Sequence, residues 1–278
     1  MLWYLLQIEW IKFRTQKAFQ IIGLLFLVAM PSIILVARML DRVATDDLPP
    51  FIGGASAIIG FPNIWKWLGY EANWLSFLAL GFISILFITT EFAHHTIRQN
   101  ILCGMSRTQW LGGKVLFILA LSIAATLWYV CCAVSIGWWH TDKVYWNTIW
   151  RHSELAYRYL LLNMGYMSFG LFLGLLIRRT GLSIFLYFAW GLFIESALRW
   201  GVHFTRFHNR SFLFYPINAF EDLLPPPFAE IAQSYADEFA REHGFALYLT
   251  PTEAIFTSCT YIALFVGLSW WRLRKIDL

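Results

Sequence analysis

Charged residues are scarce in this chain. They make up 14% of its 278 residues, whereas hydrophobic residues make up 59%, and the mean hydropathy is +0.57. This balance argues against an ordinary soluble domain and is typical of a membrane protein. Six spans of roughly 20 residues each would leave room for one extended loop and for no separate soluble domain.

Motifs that bind nucleotides or metals are missing as well. No G-x-x-x-x-G-K-[ST] phosphate loop occurs, because Gly112, Gly113 and Lys114 are followed by valine and the earlier glycine spacing is wrong. The four cysteines form no C-x-x-C pair, and neither H-E-x-x-H nor G-x-S-x-G is present. We therefore expect no catalytic residue, cofactor or metal site in this chain. If ATP drives its function, another chain must bind the ATP.

The N-terminal segment does not have the pattern of a signal peptide, because its charges follow the apolar residues and no cleavage site closes a short apolar core. Residues 2–18 instead predict an amphipathic helix lying in the membrane interface. The pattern places Trp3, Leu6, Trp10 and Phe13 on one face and Glu9, Lys12 and Gln16 on another.

Long apolar runs predict six membrane spans and an all-α polytopic fold as a single domain, 1–278. The runs lie at about 19–37, 74–90, 115–139, 157–177, 182–198 and 252–271. The outer loop 38–73 contains a glycine-rich apolar piece, 51–62, that is too short to span. The outer segment 199–251, between spans 5 and 6, predicts short re-entrant or outer helices.

Aromatic and basic residues orient these spans. Tryptophans near the predicted span ends are expected to be interfacial anchors: Trp65, Trp67, Trp74, Trp138, Trp139, Trp200, Trp270 and Trp271. Basic residues concentrate in the short loops of one side, from Lys12 and Arg98 to Arg274 and Lys275, so both termini are predicted to be cytoplasmic in a bacterial inner membrane. Contact with lipids is expected, and nothing indicates binding of nucleic acid.

The polar stretch 91–114, here called the elbow, lies between the second and third predicted spans. Its alternation of polar and apolar residues predicts a short amphipathic helix with Ile97, Ile101 and Leu102 as its spine. Gly104 is placed to end that helix and Ser106 to cap the next one. Such a helix can dock on a soluble partner, although an ordinary capped polar loop explains the same residues.

The elbow resembles the coupling-helix region, here 92–107, of ABC-2-type permeases, the membrane subunits of bacterial ATP-driven exporters. The resemblance is carried by an acidic residue at the end of span 2, then Thr-x-Arg-x-Asn and Gly-x-Ser-Arg. It assigns contact with the ATPase, or coupling to it, to Glu91, Thr96, Arg98, Asn100, Gly104, Ser106 and Arg107. It also implies P-loop ATPase subunits that carry ATP and Mg, a second permease subunit, identical or homologous, and an apolar or amphipathic cargo.

Three other functions remain open on the sequence. A secondary transporter would need acids or broken helices within its spans, for which Glu195 and Pro31 are the candidates. Because Glu195 lies near the outer end of its span, an internal ion pair to Arg199, four residues later, is the favoured interpretation of this acid. A membrane-embedded enzyme acting on lipids would use the outer residues His203 and His208. A membrane subunit that binds an ATPase and transports nothing is the third.

Overall fold

The computed structural model describes residues 2–35, 37, 39, 58–94, 96–141, 143–227 and 233–275. Within these ranges the chain is helical and contains no strand. Five helices are long and apolar enough to cross a membrane: α2 (Lys17–Leu35), α3 (Ile64–Ala93), α5 (Arg107–Trp139), α6 (Trp146–Ile177) and α11 (Pro251–Arg274). The predicted all-helical fold is therefore confirmed for the described residues, and the five long apolar helices fit a polytopic membrane protein.

A sixth crossing depends on two consecutive helices, α7 (Thr180–Ile194) and α8 (Ala197–Phe207), which meet at a bend of 44°. The pair is either one broken span or a re-entrant element. The shorter helices are α1 (Leu2–Arg14), α4 (Thr96–Leu102), α9 (Pro216–Glu221) and α10 (Gln233–His243). The helix predicted at the N-terminus is thus present, as are short helices in the outer segment. Most of the glycine-rich piece 51–62 lies outside the described residues.

Helix α3 begins at Ile64, ten residues earlier than predicted. The sequence pattern missed this start because the first turns contain polar residues, which lowered the local hydropathy. Two of those residues point inward: Asn73 is buried, and Glu71 accepts a hydrogen bond from Ser32 Oγ at 2.9 Å. Trp65, predicted to be an interfacial anchor, is also fully buried, and its indole donates to the Ile149 carbonyl at 2.8 Å.

Helix α6 lies at the centre of the bundle, where it packs against α3, α5 and α11. Gly170 allows α6 to approach α3 closely. A Cβ at this position would lie 2.8 Å from the Gly81 carbonyl oxygen of α3 and would overlap Ser84 Oγ. Small residues at helix contacts are a common way to gain van der Waals packing where no water is present to drive association.

Three parts of the chain meet at one end of the bundle. Helix α1 contacts the start of α5. Arg107, the first residue of α5, donates to the carbonyl oxygens of Leu273 and Arg274 at 3.1 and 2.7 Å. The last turn of α11 therefore lies beside the elbow, on the same side as α1.

At the opposite end, the Glu195 carboxylate holds α9 in place. It accepts hydrogen bonds from the backbone N–H groups of Ile217 and Asn218 at 3.1 and 2.9 Å, and from the Trp190 indole at 2.9 Å. A carboxylate at a helix N-terminus satisfies N–H groups that have no partner within the helix.

The ion pair expected between Glu195 and Arg199 does not form as a direct contact. Arg199 instead donates through Nε to the Phe212 carbonyl at 3.2 Å. The four-residue spacing fails here because residues Ala197–Phe204 form a π-helix, whose wider turn changes which side chains align.

Candidate functional site at the elbow

The elbow has the local structure that its sequence predicts. Helix α4 covers Thr96–Leu102, and Gly104 follows with φ +97°, a backbone conformation that favours glycine. Ser106 then caps α5 in a capping box, because its Oγ accepts from the Gln109 N–H while the Gln109 side chain accepts from the Ser106 N–H. The predicted roles of Gly104 and Ser106 in ending one helix and starting the next are confirmed.

A cluster of charged side chains, here called the charge cluster, joins the two ends of the elbow to α1 and is buried except for part of Lys12. It consists of Glu9, Lys12, Glu91 and Lys114. Lys114 has no exposed surface; its Nζ lies 2.6 Å from Glu91 Oε1 and also donates to Glu9 Oε2. The second oxygen of Glu91 accepts a hydrogen bond from the Trp110 indole at 2.7 Å.

Lys12 completes the charge cluster from α1. Its Nζ lies 3.0 Å from Glu91 and 3.4 Å from Glu9. Burial disfavours the charged form of Lys12, but the two carboxylates outweigh that effect and raise its pKa. Two carboxylates thus face two ammonium groups. The charges balance, which is the condition under which buried ions are tolerated.

Aromatic rings enclose Lys114. Its Nζ lies 4.9 Å from the ring centroid of Phe13, 5.3 Å from that of Trp110 and 5.5 Å from that of Phe87. The rings come from α1, α5 and α3. They keep water away from the ammonium group and contribute cation–π attraction. The charge cluster is therefore a joint between three helices.

The faces predicted for α1 are wrong in part, because Glu9 and Phe13, which were expected on different faces, share the buried one. Leu5, Glu9 and Phe13 form its buried face, whereas Trp3 and Trp10 are exposed. Glu9 turns inward because Lys114, a cation within an apolar helix, needs a carboxylate. The sequence offered one signal for this contact, namely Lys114 at the start of an apolar run. No local spacing could show which acidic residue pairs with Lys114.

The elbow residues predicted to act on an ATPase occupy three different environments. Glu91 is buried, with 4% of its surface exposed. Thr96 donates from Oγ1 to the Glu91 carbonyl at 3.3 Å, Asn100 is half-buried, and Arg107 is bound to the end of α11. Arg98, Gly104 and Ser106 are exposed.

The exposed face of α4 is formed by Arg98, Gln99 and Leu102. Ile97 is buried, as a spine residue should be, but Leu102 has 77% of its surface exposed. An exposed leucine beside an arginine suits contact with another protein. The sequence pattern assigned Leu102 to the spine because Ile101 and Leu102 are adjacent and both apolar.

The described residues include no group of three or more His, Cys, Asp or Glu side chains that could hold a metal ion. Searches with protein-family models and among curated proteins found no match to this sequence. The likeness to ABC-2 permeases therefore rests on the elbow residues and on the order of the helices.

Proposed function

We propose that this chain is the membrane subunit of an ATP-driven exporter, with ATP bound and hydrolysed by separate P-loop subunits. The observation that carries the proposal is the elbow: a short helix with an exposed Arg98–Leu102 face, fixed from behind by the charge cluster. The seven residues assigned by the resemblance would divide into two roles. Arg98 would contact the ATPase, and Glu91 would hold the elbow against α1 and α5.

The charge cluster gives the elbow a route to the rest of the bundle. A push on α4 reaches α3 through the Thr96–Glu91 contact, and it reaches α5 and α1 through Lys114 and Lys12. Because buried ion pairs are costly to separate, these three helices are expected to move as one body. This supports transmission of force from a docked ATPase.

The position of the chain ends supports six crossings. Helix α1 and the last turn of α11 both lie beside the elbow. A chain that starts and finishes on one side crosses an even number of times, so α7 and α8 would together form the fifth span. With the basic loops inside, both termini would be cytoplasmic in an inner membrane.

Exposed apolar faces support a second subunit and an apolar or amphipathic cargo. Helices α2 and α7 expose large apolar side chains, among them Leu24, Leu25, Val28, Phe185 and Phe193. The resemblance implies that spans 1, 2 and 5, here α2, α3 and the α7–α8 pair, line the cleft between two permease subunits. A second copy and membrane lipid would then share this surface.

The test is to co-express the tagged chain with the products of its neighbouring genes, to purify it, and to ask whether a P-loop ATPase is recovered with it. Wild type should recover an ATPase whose activity rises when the complex forms. Arg98→Ala and Leu102→Ala should each lower recovery by about tenfold, the equivalent of about 1.4 kcal/mol. Arg206→Ala, an exposed arginine in α8, is the matched control and should behave as wild type. Recovery of no ATPase under gentle conditions, or equal recovery by all variants, would contradict the proposal.

One observation favours a proton-coupled secondary transporter as the second candidate. Glu71 is an acid within α3 that sequence reasoning placed in a loop, and its Oε2 is buried with no partner among the described residues. Its Oε1 binds Ser32, beside Pro31 in the 3₁₀ turn of α2. An acid at a helix break is a common proton site in transporters. A proton flux that persists without any ATPase and disappears in Glu71→Gln would favour this candidate.

A further inference from the structure

A cavity of about 160 Å³ lies near the first turns of α3 and α6, at the end of the bundle away from the elbow. Its polar lining consists of Lys66, His152, Glu154 and Arg158, and its apolar walls are Leu155 and the proline run 225–227. Among the described residues, one lysine, one arginine and one histidine thus line this cavity together with one carboxylate.

Arg158 is the most informative of these residues. In the part of the chain that the structure describes, it makes no ion pair and no hydrogen bond, and its Nε is buried. Glu154, one turn earlier on α6, is the natural partner by spacing. Its carboxylate instead lies 3.4 Å from His152 Nδ1. A guanidinium group presents five donors, and leaving a buried donor unpaired is costly, so the cavity is expected to hold an acceptor.

The lining selects among acceptors by charge and shape. The planar fork of Arg158 matches two oxygens of a phosphate, and Lys66 adds a point charge from another helix. His152 lies in the turn at 150–153, between the short helix Trp146–Ile149 and the continuous helix Glu154–Ile177 of α6, so the donors come from separate segments of the chain. A phosphate group offers oxygens in several directions, whereas a carboxylate offers two in one plane.

The location favours a phosphate that is presented at the membrane surface. Lys66 is in the first turn of α3, and Arg158 is one turn into the continuous helix Glu154–Ile177 of α6, so both lie close to the ends of long apolar helices. With these helices across a bilayer, the headgroup layer would lie at that level, and cationic pockets between membrane helices are suited to lipid phosphates.

We propose that this cavity is a binding site for a phosphate group, with Arg158 as its principal ligand and Lys66 as the second cation. The phosphate is carried by a lipid headgroup or is free in solution. This site is independent of the elbow, and it holds whether or not the chain couples to an ATPase.

The test measures the melting temperature (Tm) of the purified full-length protein in a neutral detergent. The additions are inorganic phosphate, dihexanoyl phosphatidylglycerol, and two controls: dihexanoylglycerol, which lacks phosphate, and sodium chloride at equal ionic strength. Binding to the folded state raises Tm with ligand concentration. We expect Tm to rise with phosphatidylglycerol and with neither control. A rise with inorganic phosphate as well would show that the phosphate alone suffices, and a rise with lipid alone would identify the headgroup as its source.

Variants link the effect to the cavity. Arg158→Gln should need at least about tenfold more ligand for the same rise in Tm, whereas Arg206→Gln, outside the cavity, should respond as wild type. If Arg158→Gln does not fold, the test uses Arg158→Lys, which keeps the positive charge but loses the planar guanidinium fork. This variant should need several-fold more ligand than wild type for the same rise in Tm. The proposal is overturned if no phosphate compound raises Tm, or if the Arg158 variant that folds responds as wild type does.

Discussion

Lys114 is a lysine with no exposed surface, and the residues that follow it in α5 are mostly apolar. Its charge is balanced by Glu9 and Glu91, which come from two other helices. A single buried residue therefore determines how α1, α3 and α5 are joined. At this scale, removing one charge has consequences for the stability of the whole end of the bundle.

Replacing Lys114 by methionine is expected to destabilise the protein by about 3 to 5 kcal/mol, because Glu9 and Glu91 would be left buried with only Lys12 to pair them. The measurement is the Tm of the purified protein in detergent. Lys17→Met, at an exposed lysine that begins α2, is the matched control and should change Tm little. An unchanged Tm in Lys114→Met would show that the charge cluster does not hold these helices together.

A second residue-scale effect concerns Glu221, at the end of α9 and outside the candidate spans. Burial raises its pKa to about 7; Glu195 and Asp222 act in the same direction, and Arg199 opposes them. A carboxyl group with a raised pKa stabilises the folded state at low pH, and that contribution is lost as the pH rises toward the folded pKa. The stability of the protein should therefore fall between about pH 4.5 and pH 7, by about 1 to 3 kcal/mol from this group.

The Glu221→Gln variant removes this titration, so its Tm should vary less with pH over the same window. Glu238→Gln, at an exposed position of α10, provides the comparison and should keep the wild-type profile. If both variants follow wild type, Glu221 does not titrate in this window.

At the scale of helices, close packing between α3 and α6 places a strict limit on side-chain size. Gly170→Ala is expected to cost about 1 to 3 kcal/mol, because the added methyl group would force α6 away from the Gly81 carbonyl and Ser84. Thermal unfolding in detergent measures this. In Gly267→Ala on α11, nothing lies within 4 Å of the added Cβ. That control should be neutral or slightly stabilising, since alanine favours helix. Equal Tm values for the two variants would argue against close contact at Gly170.

Helices were also the scale at which sequence reasoning was most accurate, for a physical reason. The caps that start and end α4 and α5 are local: Gly104 needs a left-handed backbone, and Ser106 needs the residue three positions later. Those features were predicted. The inward position of Glu9 and the early start of α3 at Ile64 were not predicted, because both depend on partners distant in sequence. A hydropathy scale assigns a polar residue the same value whether or not a buried partner pairs with it.

At the scale of the whole molecule, the number of crossings determines which surfaces face the cytoplasm. Two arrangements fit the lengths of the helices. In one, α7 and α8 form a bent fifth span, and the last helix returns to the side of the elbow. In the other, the pair is re-entrant, and the chain would cross five times. The contact from Arg107 to the carbonyl oxygens of Leu273 and Arg274 favours the first arrangement, since it places the end of α11 beside the elbow.

Single-cysteine labelling with a membrane-impermeant maleimide distinguishes the two arrangements. Three proteins are made, each with one cysteine and with every other native cysteine replaced by serine. The first keeps Cys103 of the elbow, which is exposed. The second and third lack Cys103 and carry Lys275→Cys or Arg206→Cys. Six crossings predict that positions 103 and 275 react in inside-out vesicles, whereas position 206 reacts in intact spheroplasts. Five crossings would place positions 103 and 206 on one side and position 275 on the other. That result would be incompatible with the contact between Arg107 and the end of α11. It would also contradict the proposal that both termini are cytoplasmic.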